Sequence, residues 1–199
     1  MVEKLKNLDR DFFVFLNKDL HFDCLNDFFS TITNQAYAFI PVLIIIIFLV
    51  KKYKAKSVYI IVGAAIAVGL SDFITSGIVK KIVMRPRPCE TIDNIYFWAK
   101  NKNPHWIITD LTEKSSYKKS FSFPSSHAAN TMAMAVFISF FYKKLLFILV
   151  PFSILIGYSR VYVGVHYPSD VVAGFVFGIF ISFFVKYLYD IIYDKLSRK

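Results

Sequence analysis

From residue 34 onward the chain alternates between unbroken apolar runs and short polar breaks. Residues 34–50, 57–79, 127–142, 145–161 and 171–189 lack the regular polar interruptions that mark a half-solvated helix. A helix that crosses a hydrocarbon core about 30 Å thick needs about 20 such residues. These runs therefore predict an all-α, polytopic membrane helical bundle with about five transmembrane helices. The segment before them has a different rhythm. Leu5, Leu8, Phe12, Phe15 or Leu16, Leu20 and Phe28 fall on one stripe, while Asp9, Asp11, Asn17, Asp19 and Asp27 punctuate the rest. Residues 1–32 are thus expected to form an amphipathic helix lying in the membrane interface. One long polar stretch, residues 80–126, separates the second run from the third. No internal repeat or linker divides the chain, so residues 1–199 read as a single domain.

Composition sharpens this reading. The chain is 56% hydrophobic and only 19% charged, whereas soluble domains carry about a quarter charged residues. The net charge of +10 would suit a nucleic-acid partner if it were spread over one face. Instead much of it sits in short clusters between apolar runs, at Lys51, Lys52, Lys54 and Lys56 and again at Lys143 and Lys144. That is the pattern of loops flanking membrane helices, and it favours contact with the bilayer and its anionic lipids over nucleic acid. If residues 1–32 and 80–126 share one side, the short Lys-rich loops assign the other side to the cytoplasm. Cys24 and Cys89 lack metal-ligand spacing, which leaves a disulfide and two free thiols both open. Residues 1–10 are highly charged and no short apolar core follows at once, unlike a cleavable signal peptide.

Three clusters carry chemistry, and the predicted topology brings them to one membrane face. Lys80, Lys81, Arg85 and Arg87-Pro88 close the second apolar run; Pro124-Ser125-Ser126-His127 opens the third; Ser159-Arg160, His166 and Asp170 join the fourth to the fifth. Together they resemble the type 2 phosphatidic acid phosphatase family, which also includes bacterial lipid phosphatases and the vanadium haloperoxidases. Its first motif, Lys, six residues, Arg-Pro, is matched by Lys80 and Arg87-Pro88. Its second, Pro-Ser-Gly-His, is matched by Pro124, Ser125 and His127, with Ser126 in place of Gly. Its third, Ser-Arg, five residues, His, three residues, Asp, is matched by Ser159, Arg160, His166 and Asp170. The resemblance implies a phosphatase that needs neither metal nor cofactor and acts on a phosphorylated membrane lipid.

The residue types suit that chemistry. A phosphoryl group in transfer spreads charge over its oxygens, so catalysis rests on positioning and on fixed positive charge. Lys80, Arg87 and Arg160 supply that charge, and Ser125 and Ser126, with the start of a helix behind them, supply hydroxyl and N–H donors. His166 is expected to attack phosphorus and form a phosphohistidine. Asp170 is expected to hold one imidazole nitrogen, with Pro168 opening a helix between the two. His127 is expected to protonate the leaving oxygen and then activate water. A zinc site built from the same histidines and Asp170 is disfavoured by three cations aimed at one place.

Other polar residues are read more plainly. Arg85 and Lys81 are expected to be topology anchors or headgroup contacts, and His21 and His105 to make structural hydrogen bonds. Asp72, Ser76 and Lys80 share one helical stripe, and Asp72 is expected to pair with a polar group inside the bundle. Ser126 in place of Gly bears on substrate fit more than on reaction type. The aromatics Tyr96, Phe97 and Trp98 read equally well as an interfacial belt. Among lipids, undecaprenyl diphosphate and lipid A 1-phosphate are favoured over phosphatidylglycerol phosphate and phosphatidic acid, at the outer (periplasmic) face of a bacterial inner membrane. The competing readings are a phosphotransferase of the same family and a non-enzymatic transporter or lipid-binding protein. The latter binds its cargo mid-bilayer and leaves the convergence at one face unexplained.

Overall fold

The computed structural model describes residues 2–34, 37, 39–100, 105–112 and 120–197. The amphipathic N-terminal segment is broken in two. Helix α1 (Val2–Val14) runs on through a wide turn at Phe15–Asp19, and after a break near His21 the chain enters α2 (Asn26–Thr33). The apolar stripe faces outward: Leu5, Leu8, Phe12, Phe15 and Phe28 are exposed, while Phe13, Asn17 and Phe29 are buried. Asn17 is therefore not a solvent-face residue as its periodicity suggested. Its amide donates to the carbonyls of Tyr96, Val161 and Tyr162 and accepts from the Tyr96 N–H, pinning the segment to the rest of the protein.

The apolar runs form α3 (Phe39–Tyr53), α4 (Ser57–Asp72), α7 (Ser126–Ser139), α8 (Leu146–Tyr162) and α9 (Pro168–Ser197). Helix α4 passes through wide π-helical turns at Phe73–Val79 into a short α5 (Lys80–Val83). The chain turns between α3 and α4 at Lys54, whose φ is 51°. Among the described residues, three stretches are suited by length and composition to crossing a membrane, Ile40–Thr91, Lys143–Tyr162 and Pro168–Tyr193. Helix α7, at 14 residues, is shorter than these. It is also the central helix, packing on α4, α8 and α9. The reason lies in its small side chains: Ala128, Ala129, Ala133 and Ala135 are all buried and let neighbouring backbones come close. Helix α9 answers with Gly174, Gly178 and Ser182, four residues apart. A Cβ on Gly178 would lie 2.5 Å from the Ala129 carbonyl oxygen. Ser182 spans the same seam, donating to the Ala133 carbonyl at 2.8 Å. The opposite face of α9 is bulky and exposed, with Val172, Val176, Phe180, Phe183 and Phe184. Small residues inside and large apolar residues outside suit a helix whose outer face meets hydrocarbon rather than water.

The described residues of the long loop, 84–100, 105–112 and 120–125, form a strap over one end of the bundle. It holds a short helix α6 (Pro88–Thr91) and a two-stranded antiparallel ribbon, β1 (Tyr96–Trp98) with β2 (Trp106–Ile108), so the fold is not purely helical. Phe97 is buried and the Tyr96 ring stacks on His21, which makes these aromatics packing groups of the ribbon. Parts of the long loop, residues 101–104 and 113–119, lie outside the described residues.

Candidate active site

The end of α5, the start of α7, the end of α8 and the start of α9 meet beneath the strap. Pro168 opens α9, where its missing N–H and fixed φ suit the first turn, and this sets Asp170 within that turn. His166 and Asp170 are both almost wholly buried, at 1% and 0% exposure. The His166 Nδ1 lies 3.6 Å from Asp170 Oδ2, beyond a formed hydrogen bond, and has no hydrogen-bond partner among the described residues. On the other side of the ring, Nε2 lies 3.3 Å from Arg87 Nη1. A guanidinium only donates, so Nε2 must carry the lone pair and the neutral ring holds its proton on Nδ1, facing Asp170. Burial first, then the charges of Arg87, Arg160, Lys80 and His127, hold the imidazole well below its ordinary value of 6.5.

Each cation is fixed by a different element. Arg87 is buried, with Nε donating to the carbonyl and hydroxyl of Ser120 at 2.9 and 3.0 Å and Nη1 to the Val165 carbonyl at 2.8 Å. Arg160, in the last turn of α8, donates from Nη1 to the carbonyl and hydroxyl oxygens of Thr33 at the end of α2. Its buried Nε has no hydrogen-bond partner among the described residues. Lys80 is half-buried and follows directly on the π-helical turns. Such wide turns shift the register of the residues after them and recur at functional sites.

At the start of α7 the two serines separate in role. The Ser125 N–H donates to the Asp170 backbone carbonyl at 2.9 Å, which ties α7 to α9, while its buried hydroxyl has no partner. The Ser126 hydroxyl pairs with that of Ser76 at 2.7 Å. His127 is half-buried in the first turn. Asp72 accepts from Ser76 and from Asn130, each at 3.2 Å, the bundle pairing its place on the helix suggested. The eight residues singled out from sequence (Lys80, Arg87, Ser125, Ser126, His127, Arg160, His166 and Asp170) thus converge on one end of the fold.

Sequence reasoning missed several supports of this cluster. Arg85 does not point to headgroups as expected. It forms ion pairs with Asp170 at 2.8 Å and Asp9 at 2.7 Å, and its guanidinium lies 3.8 Å from the centre of the Tyr167 ring. A basic residue two positions from a motif arginine was the available signal, but its partners lie 76 and 85 residues away. Thr33 carried no signal. His21 is held by stacking rather than by hydrogen bonds, its ring 3.6 Å from Tyr96 and 4.6 Å from Tyr162. His105 places Nδ1 3.4 Å from the Ala99 carbonyl. Cys24 is exposed and Cys89 buried, and no disulfide joins them.

The PAP2 superfamily profile matches residues 56–193. A lipid A 4'-phosphatase of Bacteroides thetaiotaomicron is 28% identical over 185 residues, covering 89% of this chain and 75% of the relative. An undecaprenyl-diphosphatase of Sulfolobus acidocaldarius is 29% identical over 150 residues, covering 75% of this chain and 62% of the relative. Among solved structures, the transmembrane PAP2-type phosphatidylglycerolphosphate phosphatase of Bacillus subtilis superposes with a TM-score of 0.67 at 21% identity, covering 95% of this chain and 88% of that one. LpxE of Aquifex aeolicus gives 0.64 at 23% identity, covering 88% and 92%.

Proposed function

The chain belongs to the PAP2 superfamily, and on that premise we propose that it is an integral-membrane lipid phosphatase working through a phosphohistidine. The observation that carries the reading is the His166 imidazole. It is buried and neutral, its lone pair lies on Nε2, and that nitrogen faces Arg87 within reach of the fields of Lys80 and Arg160. Nε2 attacks phosphorus while the bond from phosphorus to the lipid-side oxygen breaks. That oxygen takes its proton from His127. Arg87, Arg160 and Lys80 hold the three equatorial oxygens, with the unpaired Ser125 hydroxyl and Arg160 Nε available as further donors. In the second half-reaction His127 takes a proton from water, the oxygen attacks phosphorus, and the bond to Nε2 breaks to free phosphate. Asp170 faces the Nδ1 proton throughout, and its charge favours the ring as positive charge develops on it.

The substrate assigned is a phosphorylated cell-envelope lipid. Lipid A 4'-phosphatases, at 28% and 27% identity, match this chain over most of its length, which moves the preference within the envelope lipids toward a lipid A monophosphate. The helices are assigned about five crossings, one per apolar helix, with residues 1–32 in the interface. The site then lies at the periplasmic face of the inner membrane, opposite the short Lys-rich loops. A groove of about 470 Å³ between α1 and residues 83–86, lined by Leu5, Val83, Met84 and Phe123 together with Asp9, Arg85 and Ser169, opens beside the cluster and would seat part of the lipid.

Phosphate release from purified lipid A, undecaprenyl diphosphate, phosphatidylglycerol phosphate and phosphatidic acid, in EDTA, tests the whole reading. Preference for one lipid, with loss of activity in His166→Ala, is the expected result. Turnover of none of them, or full activity in the variant, overturns it.

A further inference from the structure

Helix α1 reaches the reaction centre through a chain of charges that the phosphatase motifs do not include. Asp9, on α1, accepts from the Ser169 N–H through Oδ1 at 3.0 Å. Through Oδ2 it accepts from Arg85 Nη2 at 2.7 Å and from the Ser169 hydroxyl at 2.5 Å. Arg85 turns its other nitrogen, Nη1, to Asp170 Oδ1 at 2.8 Å and to the Ser169 hydroxyl at 2.7 Å. The remaining Asp170 oxygen, Oδ2, accepts from the Tyr167 N–H at 2.9 Å and faces His166 Nδ1. The guanidinium is therefore clamped on three sides: by two carboxylates, by a hydroxyl, and by the Tyr167 ring 3.8 Å from its carbon.

The arrangement answers a physical problem. A carboxylate with no exposure to solvent is costly to keep ionised, and His166 is neutral and 3.6 Å distant, so it does not neutralise it. Arg85 is a cation in direct contact with Asp170, and the planar fork of an arginine holds two carboxylates in a fixed geometry that the rotating donors of an ammonium do not impose. Asp9 balances the second half of that charge and fixes where the fork sits.

We infer that Arg85 and Asp9 are positioning residues for the phosphatase reaction: Arg85 keeps Asp170 ionised and aimed at His166 Nδ1, and Asp9 locks Arg85 from α1. This rests on the proposed role of His166 as nucleophile. It makes the N-terminal helix a working part of the site rather than an appended interfacial segment.

A double-mutant cycle between Arg85→Gln and Asp170→Asn tests it, with kcat and KM measured on the turned-over lipid and His166→Ala run in parallel. Misaiming a reacting group costs up to about 100-fold. The expected result is a kcat drop of about 10–100-fold for Arg85→Gln with KM nearly unchanged, and little further loss in the double variant beyond Asp170→Asn alone. Asp9→Asn should follow the same pattern with a loss of about 3–10-fold, and it carries the cycle if Arg85→Gln does not elute as a single species. An equal loss on both backgrounds, a rise in KM with kcat kept, or no loss at all overturns the inference. The two readings fail separately. Full activity in His166→Ala sinks the nucleophile, whereas a dead His166→Ala beside an unaffected Arg85→Gln sinks only the clamp.

Discussion

Both ends of the bundle carry basic side chains, but in opposite conditions. At one end Arg87, Arg160, His166 and Asp170 are at most 5% exposed and each is held by named partners or faces another member of the cluster. At the other end Lys51, Lys52, Lys54, Lys56, Lys143 and Lys144 all lie exposed. Their contacts are loose, as where Lys52 Nζ sits 5.8 Å from the centre of the Tyr142 ring. An exposed lysine keeps its hydration and costs the fold little. A buried guanidinium loses several kcal/mol of hydration, so its neighbours must be built to receive it. Basic residues in clusters thus mean two things in one chain. Burial with directed partners marks chemistry, and exposure marks contact with water and headgroups.

The comparison breaks first at His166. His166→Ala removes the proposed nucleophile, and phosphate release is expected to fall by at least about 10³-fold, as when a covalent catalyst loses its attacking atom. A variant that keeps a tenth of its activity would make the buried end structural instead. Arg87→Lys is the next largest. It keeps the charge but loses the fork that reaches Ser120, Val165 and His166 together, so kcat/KM is expected to fall by about 10²-fold. Lys143→Arg, the same exchange in reverse at the other end, gives the baseline for that measurement.

Much of this was legible beforehand, and the limit is physical. The apolar runs located the helices because a long buried or lipid-facing helix has no polar face to confuse the pattern. The three motifs located the cluster because their spacings are local: Pro168 places Asp170 one turn beyond His166. What stayed hidden depends on distant partners. Asn17 looked like a solvent residue because its period along the N-terminal segment is that of a polar face. Its amide in fact meets backbone groups of Tyr96, Val161 and Tyr162, far along the chain. Arg85 was hidden for the same reason, since nothing local pairs it with Asp9 or Asp170. Thr33 gave no sign that Arg160 would end on it.

The titration of His166 sharpens the contrast between the ends. Arg87, Arg160 and Lys80 all act to lower its value beneath 6.5, on top of burial. Removing one of those cations must raise it. Lys80→Met is therefore expected to move the His166 protonation midpoint upward, and with it the acid limb of kcat/KM, whereas Lys144→Met leaves both in place. The stability consequence has a definite sign. The unfolded chain takes up the proton near 6.5 and the folded chain only at lower pH, so His166 costs stability as pH falls below 6.5. Lys80→Met should soften that loss. Histidine ring shifts in selectively labelled protein measure the midpoint, and a downward move would contradict the field argument.

Between the two ends lies the α7–α9 seam, where the expected effect is smaller and structural. A Cβ on Gly178 would lie 2.5 Å from the Ala129 carbonyl oxygen and 2.9 Å from the Ala133 nitrogen, backbone atoms that cannot turn aside. Gly178→Ala is expected to destabilise by about 1–3 kcal/mol, the usual cost of overpacking. A Cβ on Gly69 meets nothing within 4 Å, so Gly69→Ala on the same assay should be neutral or stabilising. Thermal unfolding in one detergent compares them, and equal midpoints would mean that the seam opens without cost.

The smallest effect belongs to the lysines themselves. Lys143→Gln with Lys144→Gln changes two exposed side chains in the turn between α7 and α8, far from the cluster. Surface changes of this kind are worth about 0.5 kcal/mol or less, so turnover should stay within about twofold of wild type. Their proposed work is orientation, and that has its own readout. Cys24 is exposed and lies at the site end, between Phe22 and Asn26, both of which bond the Tyr162 hydroxyl. A membrane-impermeant maleimide applied to intact spheroplasts should label Cys24 from outside if the Lys-rich end is cytoplasmic. Neutralising Lys51, Lys52, Lys54 and Lys56 as well should reduce that labelling by inverting part of the population, since basic residues near helix ends resist translocation. Unchanged labelling with all six lysines removed would mean that orientation is fixed by the buried end, through the strap and its charges, and the division of labour between the two ends would fall.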